Sequence, residues 1–148
     1  MDIKKQKFVD VPLFELTSFT LHELNRGGLQ TLMIGDAAVR YSDRYRVSNI
    51  NYTDNSNEYI ANMKARHGVY KDEIVELEDD VVYSREDGLT FETSQATYNK
   101  KTKVAIANTD FISYRGKNRL NGSFVKYNNS LNRVESKNVT AIYQLKER

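Results

Sequence analysis

The sequence contains no cysteine, no tryptophan and a single proline among its 148 residues. Without cysteine the chain forms no disulfides and no thiolate metal sites. No apolar run reaches the roughly 18 residues that a membrane-spanning helix needs, and the opening residues lack the apolar segment of a signal peptide. The charges nearly cancel, with 22 Lys and Arg against 20 Asp and Glu, so composition does not point to a nucleic-acid partner. The length fits a single domain.

Residue patterns typical of enzymes and metal sites are also missing. The two histidines, His22 and His67, have no carboxylate at ligand spacing, and the acidic run at 72–80 lacks the glycine and spacing of a calcium loop. There is no Ser-His-Asp order and no glycine-rich phosphate loop. Paired carboxylates are plentiful but unplaced, which leaves a glycosidase as a minor alternative. We therefore predict a protein that is not an enzyme, with no metal site and no cofactor.

What the sequence does contain is a repeat of 28–29 residues, marked by Tyr41, Tyr70, Tyr98 and Tyr127. Small residues precede the last three tyrosines, an alternating apolar segment follows each one, and an Asn or Asp with apolar neighbours ends the unit. A period of this size is typical of stacked units that bury their apolar faces on one another. We expect the tyrosines to close corners, with the ring packed and the hydroxyl in water.

Each unit is predicted to consist of strands. Segments such as KVAIAN (103–108) and LTFET (89–93) alternate with period 2 and are rich in residues that favour a pleated surface. Seven polar clusters between such segments predict turns, at 25–28, 53–57, 70–73, 85–88, 99–102, 115–118 and 128–130. The prediction is an all-β, repeat-built antiparallel roll of about a dozen short strands. Its last segment, NVTAIYQL (138–145), forms strand strongly and carries charge only at its end, which favours pairing with a further strand.

The phrases Ala65/Gly68/Tyr70, Thr93/Ala96/Tyr98 and Gly122/Tyr127, together with the opening PLFELTSFTLHELNRGGLQTLMIGDAAVRY, resemble the LptC family and, more broadly, LptA/OstA-like domains. The resemblance covers nearly the whole chain. It implies a β-jellyroll or β-taco, V-shaped and partly open, spanning 11–148 after a linker or juxtamembrane remnant at 1–10. The family's LptC members begin with a transmembrane helix that this sequence lacks, so the resemblance implies a periplasmic domain whose inner-membrane anchor lies outside this chain.

The function that the resemblance implies is lipopolysaccharide transport across the periplasm, with acyl chains held in an apolar groove. The residues nominated as groove-facing are Phe19, Leu21, Leu32, Val47, Leu77, Phe91, Ile106, Phe111, Phe124, Val134, Val139 and Ile142. The implied partners are lipopolysaccharide itself, an inner-membrane lipopolysaccharide ABC transporter at the N-terminal edge, and an LptA-like periplasmic protein at the C-terminal edge. That partner edge comprises Val139, Thr140, Ala141, Ile142, Tyr143, Gln144 and Leu145, and it also permits self-association.

One alternative stays open on the sequence alone. A closed β-sandwich that binds proteins or carbohydrate has the same strand pattern, since inward aliphatic residues are more often plain core than ligand contacts. The two interpretations differ in the interior, which is an open groove in the first and a filled core in the second.

Overall fold

The computed structural model describes residues 11–56, 58–128, 130–131 and 133–144, which form strands and no helix. The strands are β1 (Phe14–Asn25), β2 (Gly28–Arg40), β3 (Tyr45–Asp54), β4 (Ala61–Lys71), β5 (Ile74–Arg85), β6 (Thr90–Asn99), β7 (Val104–Ala107), β8 (Phe111–Arg115), β9 (Asn118–Gly122), β10 (Phe124–Asn128), β11 (Arg133–Lys137) and β12 (Thr140–Ile142). The predicted all-β antiparallel roll of about a dozen strands is confirmed. No helix of the described residues is long and apolar enough to cross a membrane. The predicted remnant at 1–10, and Leu145 of the predicted partner edge, lie outside the described residues.

The seven polar clusters that predicted turns each contain or adjoin a connection between two strands. Residues with positive φ occur at these reversals, among them Asp72 and Gly88, because Asp and Gly tolerate the left-handed region. One further turn, at 41–44 between β2 and β3, was not predicted. It is closed by a hydrogen bond of 2.8 Å from the Tyr41 N–H to the Arg44 carbonyl oxygen.

The twelve strands occupy nine positions in the sheet, because three pairs of short strands each take the place of one long strand. β6 pairs with β7 along its second half and with β8 along its first half; β7 then pairs with β10, and β8 with β9. The last step repeats this pattern, with β10 pairing with β11 and β9 with β12. Thus β7–β8, β9–β10 and β11–β12 are each one long strand interrupted halfway, and they continue a sheet whose first six strands are 10–13 residues long.

The interruptions fall on one line across the sheet, which we call the bend line. Its members are residues skipped by the strand pairing or lying between half-strands: Ser18, Asp36, Asn49, Arg66, Asp79, Asp80, Ser94, Asn108, Thr109, Asp110, Ser123, Asn138 and Val139. Five of them have positive φ, namely Ser18, Asn49, Asp79, Asp80 and Asn138. Asn and Asp adopt this backbone at lower cost than most residues. The Asn or Asp that ends each sequence repeat therefore marks the place where the strands bend.

The bend divides the sheet into two leaves that face each other. The first leaf holds the half-strands that run from the bend line to the turns near 26, 57, 87 and 116, and the second leaf holds those that run to the turns near 42, 72, 101 and 130. Tyr52 of β3 in the first leaf and Tyr98 of β6 in the second have ring centroids 6.5 Å apart. Three strand spacings in a flat sheet would separate these strands by about 14 Å. The sheet is therefore folded along the bend line, with its apolar face inside.

The space between the leaves is filled at one end of the molecule and hollow at the other. The N-terminal half contains a continuous buried cluster of Met33, Ala38, Val47, Ile50, Tyr52, Met63, Ala65, Val75, Leu77, Val81 and Tyr98. In the C-terminal half, the second cluster has three buried members among the described residues, Ala107, Phe111 and Val125.

Candidate functional site: a cavity between the leaves

An apolar cavity of about 260 Å³ lies between the leaves in the C-terminal half. Its first-leaf wall includes Tyr83, Phe91 and Leu120, and its second-leaf wall includes Val125 and Tyr127. Among the described residues that border it, the polar ones are Ser113, Thr97 and the tyrosines. Cavities with such linings stay dry and take up apolar ligands, as shown by engineered apolar cavities of about 150 Å³ that bind benzene.

The cavity is closed at one end and open at the other. Its inner end is formed by Met63, Leu77 and Tyr98, which are at most 5% exposed and belong to the filled N-terminal core. Its outer end reaches Val134 on β11, whose side chain is 55% exposed. The site is thus a blind apolar pocket that opens toward the C-terminal edge of the sheet.

Small residues create the space. Ala105 pairs with Tyr98 on one side and Tyr127 on the other, so three inward-facing side chains in a row are large, small and large. A Cβ on Gly122 would lie 2.9 Å from the Phe111 ring and 2.7 Å from a backbone oxygen, which shows how closely β9 approaches its neighbours. Phe111 in turn stacks on Phe91 with centroids 5.0 Å apart, so the aromatic wall beside the bend line is held in place.

Opposite the bend line, polar contacts that we call clasps join the free ends of the leaves. The first-leaf residues come from one cross-strand row in which Glu23 pairs with Thr31, Thr31 with Asp54, Asp54 with Ala61, and Ala61 with Arg85. The second-leaf residues are the repeat tyrosines Tyr70, Tyr98 and Tyr127. The prediction that these hydroxyls lie in water is therefore wrong for Tyr98, which is 5% exposed and bonded to a buried carboxylate.

The central clasp is built on Asp54, which is 1% exposed. The Tyr98 hydroxyl donates to Asp54 Oδ2 at 2.9 Å, the Ser56 N–H donates to Oδ1 at 2.8 Å, and Lys103 Nζ lies 3.5 Å from Oδ2. Burial alone would raise the pKa of Asp54, but the hydrogen bonds from Ser56 and Tyr98 and the charge of Lys103 bring it below its ordinary value. Burial raises the pKa of Tyr98, with the neighbouring carboxylate adding to the effect. Asp54 is thus a paired, ionised group at the boundary between filled core and cavity.

A second clasp stands at the rim of the cavity. Arg85 Nη1 donates to the Tyr127 hydroxyl at 2.7 Å, while Nε and Nη2 of the same guanidinium donate to the two oxygens of Asp87 at 2.8 and 2.6 Å. This bidentate pair lowers the pKa of Asp87 to about 2. Because the Asp87 carboxylate fixes the guanidinium, Tyr127 is held over the cavity.

A third clasp closes the N-terminal end. Lys100 Nζ donates to Glu23 Oε1 and, at 3.1 Å, to the Tyr70 hydroxyl. The hydrogen bond from Lys100 lowers the pKa of Glu23. The three clasps join the first-leaf strands β1, β3 and β5 to the second-leaf strands β4, β6 and β10, each of which lies three positions further along the sheet. The N-terminal clasp also uses Lys100, which lies in the turn after β6.

The structure places seven of the nominated groove residues on the inward face. Val47, Leu77 and Phe111 are at most 4% exposed, so they are core or bend-line contacts. Leu77, Phe91, Phe111 and Val134 line the cavity. Phe19 packs against the N-terminal core, and Leu21 pairs with buried Met33 but is itself 47% exposed.

The other five nominated residues are not on the inward face. Leu32 pairs with His22 and Thr53, and Ile142 pairs with Arg119, on the outward face. Ile106 pairs with Thr97 and Lys126 and alternates with inward-facing Ala105 and Ala107, yet Ile106 and Thr97 are among the residues that border the cavity. Phe124 pairs with Lys137, whose ammonium nitrogen lies 5.1 Å from the ring centroid, next to buried Val125. Val139 lies on the bend line between β11 and β12 and is 43% exposed.

Two physical reasons account for these differences. At the bend, one residue is added to the strand, so the alternation between inward and outward side chains shifts by one position. Leu120 therefore faces inward before Ser123, while Phe124 faces outward after it. In β7 the larger residue, Ile106, was predicted to face inward. The inward positions lie between large tyrosine rings, however, and leave room only for the small residues Ala105 and Ala107. The larger Ile106 therefore alternates to the other side of the strand, although it still borders the cavity.

The strands at both ends of the sheet have one neighbour each among the described residues: β1 pairs with β2, β11 with β10, and β12 with β9. The described part of the predicted partner edge lies on and around β12. Thr140, Ala141 and Ile142 form that strand, Val139 precedes it, and Tyr143 and Gln144 follow it. All six side chains are exposed.

Sequence reasoning missed the clasp residues, although a signal was present. Asp54 and Arg85 continue the inward-facing series Ile50–Tyr52 and Val81–Tyr83 at the same spacing of two. A charged residue in phase with a buried series predicts a buried ion pair or hydrogen-bonded network. Among the described residues, no group of three His, Asp or Glu side chains is arranged to hold a metal ion.

Comparison with known proteins gives a match to a protein family. The family model described as lipopolysaccharide-assembly, LptC-related matches residues 4–144, which is nearly the whole chain. No curated protein matches the sequence.

Proposed function

The chain belongs to the LptC-related family of lipopolysaccharide-assembly proteins, and from that premise we propose that its inter-leaf cavity holds lipid acyl chains during transport across the periplasm. The observation that carries the proposal is the blind apolar pocket of about 260 Å³ that opens beside Val134. Each buried methylene contributes roughly 0.8 kcal/mol, so a partly covered chain is held by several kcal/mol. This holds a lipid between two membranes and still allows its release.

The hollow interior also supports this function over the alternative drawn from the sequence. A closed interaction or carbohydrate-binding module needs a filled interior, and within the part of the chain that the structure describes such an interior is present only in the N-terminal half. The C-terminal half has a cavity where a closed sandwich would have packed side chains.

We place the two partners at the two ends of the sheet. The inner-membrane lipopolysaccharide ABC transporter would deliver lipid at the edge formed by β1, and an LptA-like periplasmic protein would add a strand to the edge formed by β11 and β12. Support comes from the exposed side chains of β12 and from the single neighbour that each of these strands has among the described residues. Main-chain pairing would provide affinity, and a continuous groove would be its consequence.

In this proposal the protein needs no chemistry of its own. It is a non-enzymatic carrier in the periplasm, anchored at the inner membrane by a segment outside this chain, and the energy for direction comes from the transporter. Its contribution is a surface that shields acyl chains from water.

Site-specific photo-crosslinking tests the cavity with a matched pair of phenylalanines. A photoreactive phenylalanine analogue replaces Phe91, which lines the cavity, or Phe124, which lies on the outward face beside Lys137. Each variant is irradiated with purified lipopolysaccharide. We expect a lipid adduct at Phe91 and none at Phe124. A folded Phe91 variant without adduct, or equal adducts at both positions, would overturn the proposal.

Binding assays with proline variants test the partner edge. Ile142→Pro removes one backbone N–H from β12 and fixes its φ, so we expect loss of binding to an LptA-like protein. Phe14→Pro is the control, because it changes the first residue of the opposite edge strand, where proline is tolerated. Unchanged binding by folded Ile142→Pro would rule out the C-terminal edge as the docking strand.

A further inference from the structure

We infer that the cavity takes a single acyl chain and measures its length, accommodating about ten carbons. This inference rests on the proposed lipid-carrying function and narrows it from a lipid groove in general to a one-chain pocket. The first argument is volume. An apolar cavity of about 150 Å³ holds the six carbons of benzene, so 260 Å³ corresponds to about ten carbons.

The second argument is the closed inner end. A chain entering beside Val134 runs between Ala105 and Leu120 and then meets Met63 and Tyr98. Met63 is 4% exposed and packed in the N-terminal core, and Tyr98 is fixed by its hydrogen bond to Asp54. A longer chain has no space beyond this wall unless the central clasp opens, so its remaining carbons stay outside.

The third argument is the chemistry of the walls. None of the described residues that line the pocket is charged. Arg85 at the rim is already bonded to Asp87 and to the Tyr127 hydroxyl. The pocket therefore recognises the hydrocarbon and not the headgroup. A free fatty acid, a phospholipid chain and a chain of lipopolysaccharide share this hydrocarbon, and probes with two different headgroups test whether the hydrocarbon alone is recognised.

The test is a chain-length series. Saturated fatty acids of 6, 8, 10, 12, 14 and 16 carbons, and alkyl glycosides of the same lengths, are titrated below their micelle concentrations into protein labelled at its methyl groups. Binding is followed by NMR at Val125 and Leu120 in the pocket, with Ile34 on the outward face as the reference. We expect affinity to rise by up to about fourfold per added methylene and then to level off near ten carbons with both headgroups.

A cavity-filling pair makes the result specific to the pocket. Ala105→Leu adds three carbons inside the cavity, and we expect it to move the plateau about three carbons shorter. Ala37→Leu adds the same atoms on the outward face, where Ala37 pairs with Thr17 and Ser48, and should leave the plateau unchanged. Thermal unfolding of both variants reports whether the fold is intact.

The possible outcomes separate this inference from the function beneath it. Affinity that keeps rising to sixteen carbons, with shifts spreading to Met33 and Val47 in the N-terminal core, would overturn the length limit and leave the carrier function standing. A plateau that Ala105→Leu does not move would place binding outside the pocket and also overturn the inference. Failure of all chains to shift Val125 or Leu120 would overturn both.

Discussion

The two halves of the molecule follow the same repeat and yet differ in what lies between their leaves. In the N-terminal half, Ile50 and Tyr52 are at most 2% exposed and interlock with the opposite leaf. In the C-terminal half, the inward-facing residues of β7 are the small Ala105 and Ala107, and a cavity of about 260 Å³ adjoins them. The difference shows that the repeated backbone determines the folded shape of the sheet, while the size of the inward side chains determines whether the space between the leaves is filled or hollow.

The largest expected effect comes from truncating each half in turn. Ile50→Ala removes a fully packed side chain and should reduce the free energy of unfolding by about 2–5 kcal/mol. Leu120→Ala removes a side chain that already borders a cavity, so we expect a loss of about 1 kcal/mol or less. Denaturant unfolding of both variants measures the contrast. Equal losses would show that the two halves are packed alike.

The central clasp provides the next largest effect. Tyr98→Phe removes the hydroxyl that donates to buried Asp54 and should cost about 1–3 kcal/mol, because the carboxylate loses a partner that water does not replace. Tyr127→Phe removes the hydroxyl bonded to Arg85 at the half-buried rim and should cost less. Thermal unfolding of the two single variants ranks the clasps. A larger loss for Tyr127→Phe would place the stabilising contact at the cavity and not at the core.

A smaller effect in the opposite direction is expected from filling the cavity. Ser113→Val places a branched apolar side chain in the cavity wall and should stabilise the fold by about 0.5–1 kcal/mol. The same change should weaken acyl-chain binding, because the volume is shared. Calorimetric unfolding and a fatty-acid titration measure the two quantities on one sample. Stabilisation without weaker binding would separate the cavity from the lipid site.

The smallest effect is expected from acid. The pKa of Asp87 is lowered to about 2 by its hydrogen bonds from Arg85, so the stabilisation it gives is complete above its ordinary pKa near 4 and is lost as the pH falls toward 2. The lowered pKa values of Asp54 and Glu23 act in the same direction. We expect Asp87→Asn to flatten part of this acid dependence, measured as unfolding temperature between pH 5 and pH 2. An identical slope in the variant would contradict the role of the rim clasp.

Much of the fold could be predicted because it depends on local chemistry. Turn residues such as Asp72 and Gly88 carry the positive φ that reversals require, and the period of 28–29 residues reports two bent strands per unit. The side-chain directions of Phe124 and Ile106 could not be predicted in the same way. The first depends on a bend that changes the alternation, and the second on the tyrosine rings that strand pairing brings to either side of Ala105.

The candidate site was predictable in kind but not in position. Apolar alternation indicated an inward surface, and Phe91 and Val134 do line the cavity. The boundary between filled core and cavity depends on Tyr98 meeting Asp54, which are 44 residues apart in sequence and three strands apart in the sheet. No local pattern encodes that distance, because it follows from the angle at which the whole sheet folds.

The two leaves are offset from each other by three strands, so at each end of the molecule one leaf extends beyond the other. Because a first-leaf strand lies over the second-leaf strand three positions further on, the last first-leaf strands overhang at one end and the first second-leaf strands at the other. Ala141 and Tyr143 lie on the first overhang, while Phe14 and Leu16, 46% and 39% exposed, lie on the second. A strand added at either end would therefore contact the uncovered inner face of one leaf as well as its hydrogen-bonding edge. Contact with a face and an edge together resists both sliding and twisting of the added strand.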